Sequence, residues 1–184
     1  MFREHGYADA AMSEVARRLG SSKETLYRHF SSKRELFASV VEEGAKADAH
    51  SIFAELSTTH DLVYDLRRFG RAYLTLITSP EILAMRRIVI AEAGKSEIGK
   101  LYFEWGQKAG WKLVADRLAK AMEQAKLRHA DPWTAAMHFQ ALCESGPYTM
   151  RLQGLTKEDP SSFEITDAVD DAVDAFLRAY AVRR

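Results

Sequence analysis

The stretch "GYADAAMSEVARRLGSSKETLYRHF", residues 6–30, sets two short helix-like runs on either side of a glycine and two serines. In the first run Val15, Ala16 and Leu19 mark one apolar face, and Gly20 stands where a left-handed residue would end the helix. Ser21 and Ser22 offer an N-cap to the second run, in which Leu26 and Phe30, one turn apart, point into the same core. Ser21 as the cap would make Glu24 its capping-box partner. Two helices joined by so short a turn cross steeply. That is the helix-turn-helix arrangement, in which the second helix enters a major groove.

With Leu26 and Phe30 turned inward, Lys23, Glu24, Thr25, Tyr27, Arg28 and His29 are predicted to be exposed. All can donate or accept hydrogen bonds, and a phenol flanked by cations suits a phosphate. Lys33 follows at the start of the next helix, where backbone amides and the positive dipole end also favour an anion. These residues are the candidate DNA contacts.

The formal net charge of zero hides an uneven distribution. Between Gly20 and Arg34 stand four cations (Lys23, Arg28, Lys33, Arg34) and one anion, Glu24, whereas Glu158 to Asp174 holds seven acids and no base. A cationic N-terminal surface is what phosphate binding requires. The 184 residues suit one domain, or a small module fused to a larger one, and 47% apolar content is ordinary for a globular protein. No apolar run approaches the roughly 18–20 residues of a membrane helix, and the start does not resemble a signal peptide, so a cytoplasmic location is expected. The single cysteine, Cys143, excludes an internal disulfide and reads as a small buried residue. The histidines are scattered without ligand spacing, so no metal is expected, and no cofactor.

Helix signals recur along the chain and strand signals hardly occur, so the fold is predicted to be all-α. Helices are expected over Met12 to Leu19, Ser22 to Phe30, Lys33 to about Leu56, and about Asp61 to Ile77. They continue with Pro80 to Ala93, Glu97 to about Leu127 with a break near Gly106 to Gly110, Pro132 to Leu152, and about Ser162 to Ala181. Ser79 before Pro80 and Asp131 before Pro132 read as caps with proline in the first helical position. Ser32 with Glu35, and Ser161 with Glu164, have capping-box spacing, and Thr58 or Thr59 can start the helix that precedes Ile77. Pro147 should kink or break its helix near Gly146. Ile165, Val169, Ala172, Phe176 and Tyr180 form one apolar stripe, to be buried either on this chain or against a second copy.

Residues 6–37 resemble the N-terminal domain of TetR-type transcriptional repressors. These read G-Y, a small polar residue before M/V-x-x-I/V-A, then G-V-S-x-x-T-L-Y-x-H/Y-F-x-S-K-x-x-L. The resemblance implies an N-terminal helix-turn-helix domain over 1–40 and a larger helical domain over 41–184 that binds a small molecule and dimerises. It implies phosphate contacts from Thr25, Tyr27, His29 and Lys33, and base contacts from Lys23, Glu24 and Arg28. Ala11 stands where the family has Ser or Thr, so the first helix should lack a side-chain cap. Only "MFREH" precedes Gly6 where the family has a whole helix, and residues are expected to be missing there. Further on, "ILAMRRIVIAEAG" (82–94) and "ADPWTAAMHFQAL" (130–142) are similar to segments of AcrR-like ligand-binding domains.

The middle helices are rich in Phe69, Tyr73, Met85, Ile88, Trp105 and Trp111. A cavity among them would take an apolar or aromatic effector, with His138, Gln140, Glu144 or Tyr148 supplying polar contacts. The expected function is a ligand-responsive repressor that binds a two-fold symmetric double-stranded operator as a homodimer. Its pairing surface would be the last two helices, about 132–152 and 162–181. An enzyme has little support: "GKS" at 94–96 would need glycine where Val89 stands to form a phosphate loop, and no nucleophile has an adjacent base. A helical adaptor that does not bind DNA is the other alternative.

Overall fold

The computed structural model describes residues 10–37, 39–40, 52, 56 and 61–182, with Trp105 by its backbone alone. The described residues form α1 (Met12–Arg18), α2 (Lys23–His29), α3 (Leu62–Ile77), α4 (Pro80–Glu92), α5 (Ile98–Leu101), α6 (Lys108–Glu123), α7 (Pro132–Glu144), α8 (Pro147–Leu152) and α9 (Ser162–Tyr180). A π-helical stretch, Tyr102–Gln107, lies between α5 and α6. Helical backbone also occurs at 33–37, 39–40 and 52. Most of the remaining helix expected up to Leu56 lies outside the described residues, as do Thr58 and Thr59. Among the described residues there is no strand, only an isolated antiparallel bridge between Leu127 and Ala181.

Local chemistry accounts for the ends. Asp61, rather than a threonine upstream, caps α3: its Oδ1 accepts from Val63 N at 2.9 Å and Tyr64 N at 3.2 Å. Asp131 caps α7 through Thr134 N at 2.8 Å, and Ser161 with Glu164 forms a complete capping box on α9. At Ser32 the box is displaced by one residue. Ser32 Oγ accepts from Glu35 N, but the Glu35 carboxylate reaches Ser31, accepting from its N at 2.7 Å and its Oγ at 2.6 Å. The break expected near Gly146 is present. Pro147 starts α8 after Gly146 takes φ 86°, a value that favours glycine, so α7 ends at Glu144. The break expected near Gly106 to Gly110 is instead the π-helical stretch, from which α6 runs on through Gly110.

The chain forms two compact units, Met1–Lys46 with Ala84–Gln107, and Ala47–Leu83 with Lys108–Arg184. In the first, Met12, Ala16, Leu26 and Leu36 form a small core edged by Val15 and Phe30. Leu19, expected on the buried face, is 66% exposed. It is the C-cap residue, and the chain turns away from the α1 axis there. A second cluster in this unit joins Phe37, Ile88 and Ile98 with Met85, Val89 and Tyr102.

The second unit holds the larger core. In it α7 packs against α6 and α9, and α9 packs against α3. Phe69, Trp111, Phe139 and Phe176 are fully enclosed, each contributing about 2–3 kcal/mol by burial. The α9 stripe of Ile165, Val169, Ala172, Phe176 and Tyr180 is buried within this core, so its own chain covers it and it is not a seam with a second copy. Gly70 permits the close approach of α3 to α9, because a Cβ there would lie 2.7 Å from Val169 Cγ1. Asp65 is completely buried and accepts from Arg117 Nη2 at 2.9 Å, while Arg117 Nε donates to the Leu56 carbonyl. Cys143 is buried as expected, and desolvation pushes its thiol up to about 12.

Candidate nucleic-acid interface

The turn between α1 and α2 is built by backbone bonds that require its sequence. Ser21 N donates to Ala16 O at 2.9 Å and Gly20 N to Arg17 O at 3.2 Å, around a Gly20 φ of 63°. This paired pattern closes a helix on a left-handed residue, a conformation that costs a residue with Cβ about 1 kcal/mol. Ala11 provides no side-chain cap for α1, as expected. In compensation Glu14 grips the last turn. Arg17 donates through Nε at 2.8 Å and Nη2 at 2.5 Å, and Arg18 Nε at 3.2 Å. These bonds, Arg17's first, lower the Glu14 carboxyl to about 2.

Ser22, not Ser21, caps α2. Its Oγ accepts from Thr25 N at 3.0 Å and lies 2.8 Å from Thr25 Oγ1. The alternative box between Ser21 and Glu24 is not formed. Leu26 is 5% exposed within the small core, and this anchor sets the roll of α2 about its axis. Lys23, Glu24, Tyr27, Arg28 and His29 consequently face outward, with Thr25 half-buried at the cap. Tyr27 is 43% exposed, and Lys23 Nζ lies 5.7 Å from its ring centroid, held by a cation–π contact. Lys33 is half-buried at the start of the helical residues 33–37. The Arg34 guanidinium pairs with Glu97 at 2.8 Å.

The residues nominated for an effector separate into groups. Phe69, Tyr73 and Trp111 form an aromatic cluster in the second unit. Tyr73 stacks on Phe69 with centroids 5.8 Å apart, and Trp111 meets Tyr73 edge-on at 5.0 Å. Above it Tyr73 Oη donates to Glu144 Oε1, and Gln140 Nε2 donates to the same oxygen at 2.7 Å. Tyr148 is buried in the same core. His138 is committed elsewhere: its Nδ1 lies 2.6 Å from Tyr180 Oη, and Arg128 covers the Tyr180 ring. Met85 and Ile88 pack with Phe37 and Ile98 in the first unit. The Trp105 side chain lies outside the described residues. Sequence reading missed an open cavity of about 350 Å³ along α3, lined by Asp61, Val63, Tyr64, Arg67, Arg68 and Arg71. Its signal was there as arginines at one-turn spacing on a helix whose other face is apolar. Among the described residues no cluster of His, Cys, Asp or Glu could hold a metal ion, and no helix is long and apolar enough to cross a membrane.

Comparison with known proteins finds two family matches along the chain. Residues 64–182 match the AefR-like transcriptional repressor C-terminal domain, and residues 1–40 match the bacterial regulatory proteins of the tetR family. A solved structure of a TetR-family transcriptional regulator from Mesorhizobium loti is 28% identical with a TM-score of 0.85, covering 98% of this chain and 91% of that one. The flavonoid-responsive regulator FrrA is 29% identical with a TM-score of 0.79, covering 100% and 92%. The HTH-type transcriptional activator FasR of Mycolicibacterium smegmatis is 38% identical over 77 residues, 42% of this chain. That match spans only 35% of the activator's own length.

Proposed function

Because the chain belongs to the TetR family of bacterial transcriptional regulators, we propose that it acts as a ligand-responsive repressor, binding a two-fold symmetric operator as a homodimer. The observation that carries this reading is α2. It is a serine-capped helix rolled by Leu26 so that Lys23, Tyr27, Arg28 and His29 face outward together. In this reading Thr25, Tyr27, His29 and Lys33 contact phosphates, while Lys23, Glu24 and Arg28 address base edges. Two copies of α2 about 34–36 Å apart meet successive major grooves.

Pairing runs through α7, α8 and α9. Their apolar stripes serve the chain's own core, so the pairing surface is the other face, where Thr134, Ala141, Ala175 and Ala179 are exposed and small enough for close helix approach. The effector is an apolar or aromatic molecule recognised by the Phe69, Tyr73 and Trp111 rings, with Gln140 and Glu144 as polar partners. A flavonoid-responsive regulator among the similar structures supports an aromatic ligand. Binding weakens DNA affinity only to the extent that the effector prefers the dimer state whose recognition helices are wrongly spaced. Repression, rather than activation, is favoured by the repressor family matched over 64–182.

The test is a footprint on operator DNA. The expected result is symmetric protection of two half-sites, lost when Tyr27→Ala and Lys33→Ala are combined and weakened by an aromatic effector. DNA affinity unchanged in that double variant would overturn the reading.

A further inference from the structure

Glu24 is an anomaly on a surface otherwise suited to phosphates. It is exposed in the first turn of α2, and among the described residues it makes no hydrogen bond or ion pair. Suitable partners are present. Arg28 lies four residues on, the orientation in which a carboxylate and a cation best pair along a helix. Lys23 is adjacent but is directed over the Tyr27 ring. The cap that would have used Glu24 is made by Ser22 and Thr25 instead. The fold therefore leaves this carboxylate uncommitted, at the end of the recognition helix that meets base edges.

We propose that Glu24 selects a cytosine in each operator half-site by accepting a hydrogen bond from its N4 amino group. This rests on the DNA-binding reading above and goes beyond it by naming the base. An ionised carboxylate has only acceptors, so phosphates and guanine edges repel it. In the major groove it can be satisfied by the amino groups of cytosine or adenine. Adenine carries its N7 acceptor beside the N6 donor, and cytosine has no acceptor beside N4, so cytosine fits better. Arg28, also free of intramolecular partners among the described residues, sits one turn away and suits guanine O6 and N7. Glu24 thus lowers affinity for DNA in general while raising discrimination at one position.

Selection from a random pool of duplexes, using the full chain and its Glu24→Gln and Glu24→Ala variants, tests this. The wild type should select a symmetric site with one constant cytosine per half. Glu24→Gln should move that position towards adenine, which glutamine reads through N6 and N7, by about 10-fold or more. Glu24→Ala should lose the preference there, and both variants should bind unrelated duplex more tightly than wild type. Melting temperatures should stay close to wild type, because Glu24 holds nothing in the fold. Identical selected sites for all three proteins, or a large loss of stability in both variants, would overturn the assignment. A wild type that selects no sequence would instead overturn the DNA-binding reading, and this inference with it.

Discussion

Replacing Gly70 by alanine sets two effects of opposite sign against each other. Alanine inside a helix favours it over glycine by roughly 1 kcal/mol. Against this, the new methyl would stand 2.7 Å from Val169 Cγ1 and 3.5 Å from Cγ2, with Cys143 Sγ at 3.7 Å. Val169 is fully buried and β-branched, so it has little rotamer freedom with which to retreat, and α3 and α9 must part. Overpacking of this kind costs about 1–3 kcal/mol, and so short a contact belongs at the upper end. The net loss is then about 2 kcal/mol, or roughly 4–8 °C in melting temperature for a chain of this size. Circular dichroism melts of the full chain, with urea unfolding alongside, measure it. Val169→Ala alone opens a cavity and costs about 2 kcal/mol. In the double variant the added methyl occupies that space, so the combined loss should fall short of the sum by about 2 kcal/mol. A Gly70→Ala protein that melts at or above wild type, or a double variant that is simply additive, would refute the close approach of these helices.

Three further outcomes follow from particular residues. Ala125 holds φ 53° at the end of α6, where Lys126 N donates to Ala121 O and Ala125 N to Met122 O. Ala125→Gly should therefore raise stability by about 1 kcal/mol in urea unfolding, despite the greater entropy of the unfolded chain. Arg117→Met should cost about 3 kcal/mol by leaving the Asp65 carboxylate buried without its guanidinium, and a change under about 1 kcal/mol would contradict the pairing. The Glu14 carboxyl is held at about 2 against an ordinary 4.5, chiefly by Arg17. Its folded value is the lower one, so its stabilising bonds are intact above about pH 4.5 and are lost as the pH falls towards 2. Carboxyl titration by NMR should find that low midpoint, and Arg17→Ala should return it towards the ordinary range.

The turn and the recognition helix were legible because their constraints are local. A left-handed glycine, a serine cap and two apolar residues one turn apart leave few backbone solutions for residues 12–30, and each occurs with its expected role. Choices between near-equivalent neighbours were not legible. Ser21 and Ser22 are the same residue type, and only the turn's backbone bonds make Ser22 the cap. Leu19 has the right spacing for burial, but the helix ends before its side chain can point inward. The residues nominated for an effector were harder, because an aromatic in a core looks the same in sequence as an aromatic lining a ligand. Periodicity could not show that Met85 and Ile88 pack around Phe37, whereas Tyr73 packs with Trp111. Gln140 and Glu144 share a helix face by their spacing, but their common bond with Tyr73 depends on the packing of α7 beside α3, which is long-range.

The salt dependence of operator binding tests most directly whether the outward face of α2 grips a duplex. The Lys33 side chains of two protomers would neutralise about two phosphates, so they should add about −2 to the slope of log affinity against log salt. Lys33→Ala should make that slope shallower by about 2, with the selected sequence unchanged. Affinity indifferent to salt, or a Lys33→Ala protein with the full wild-type slope, would contradict the assignment of this surface to DNA.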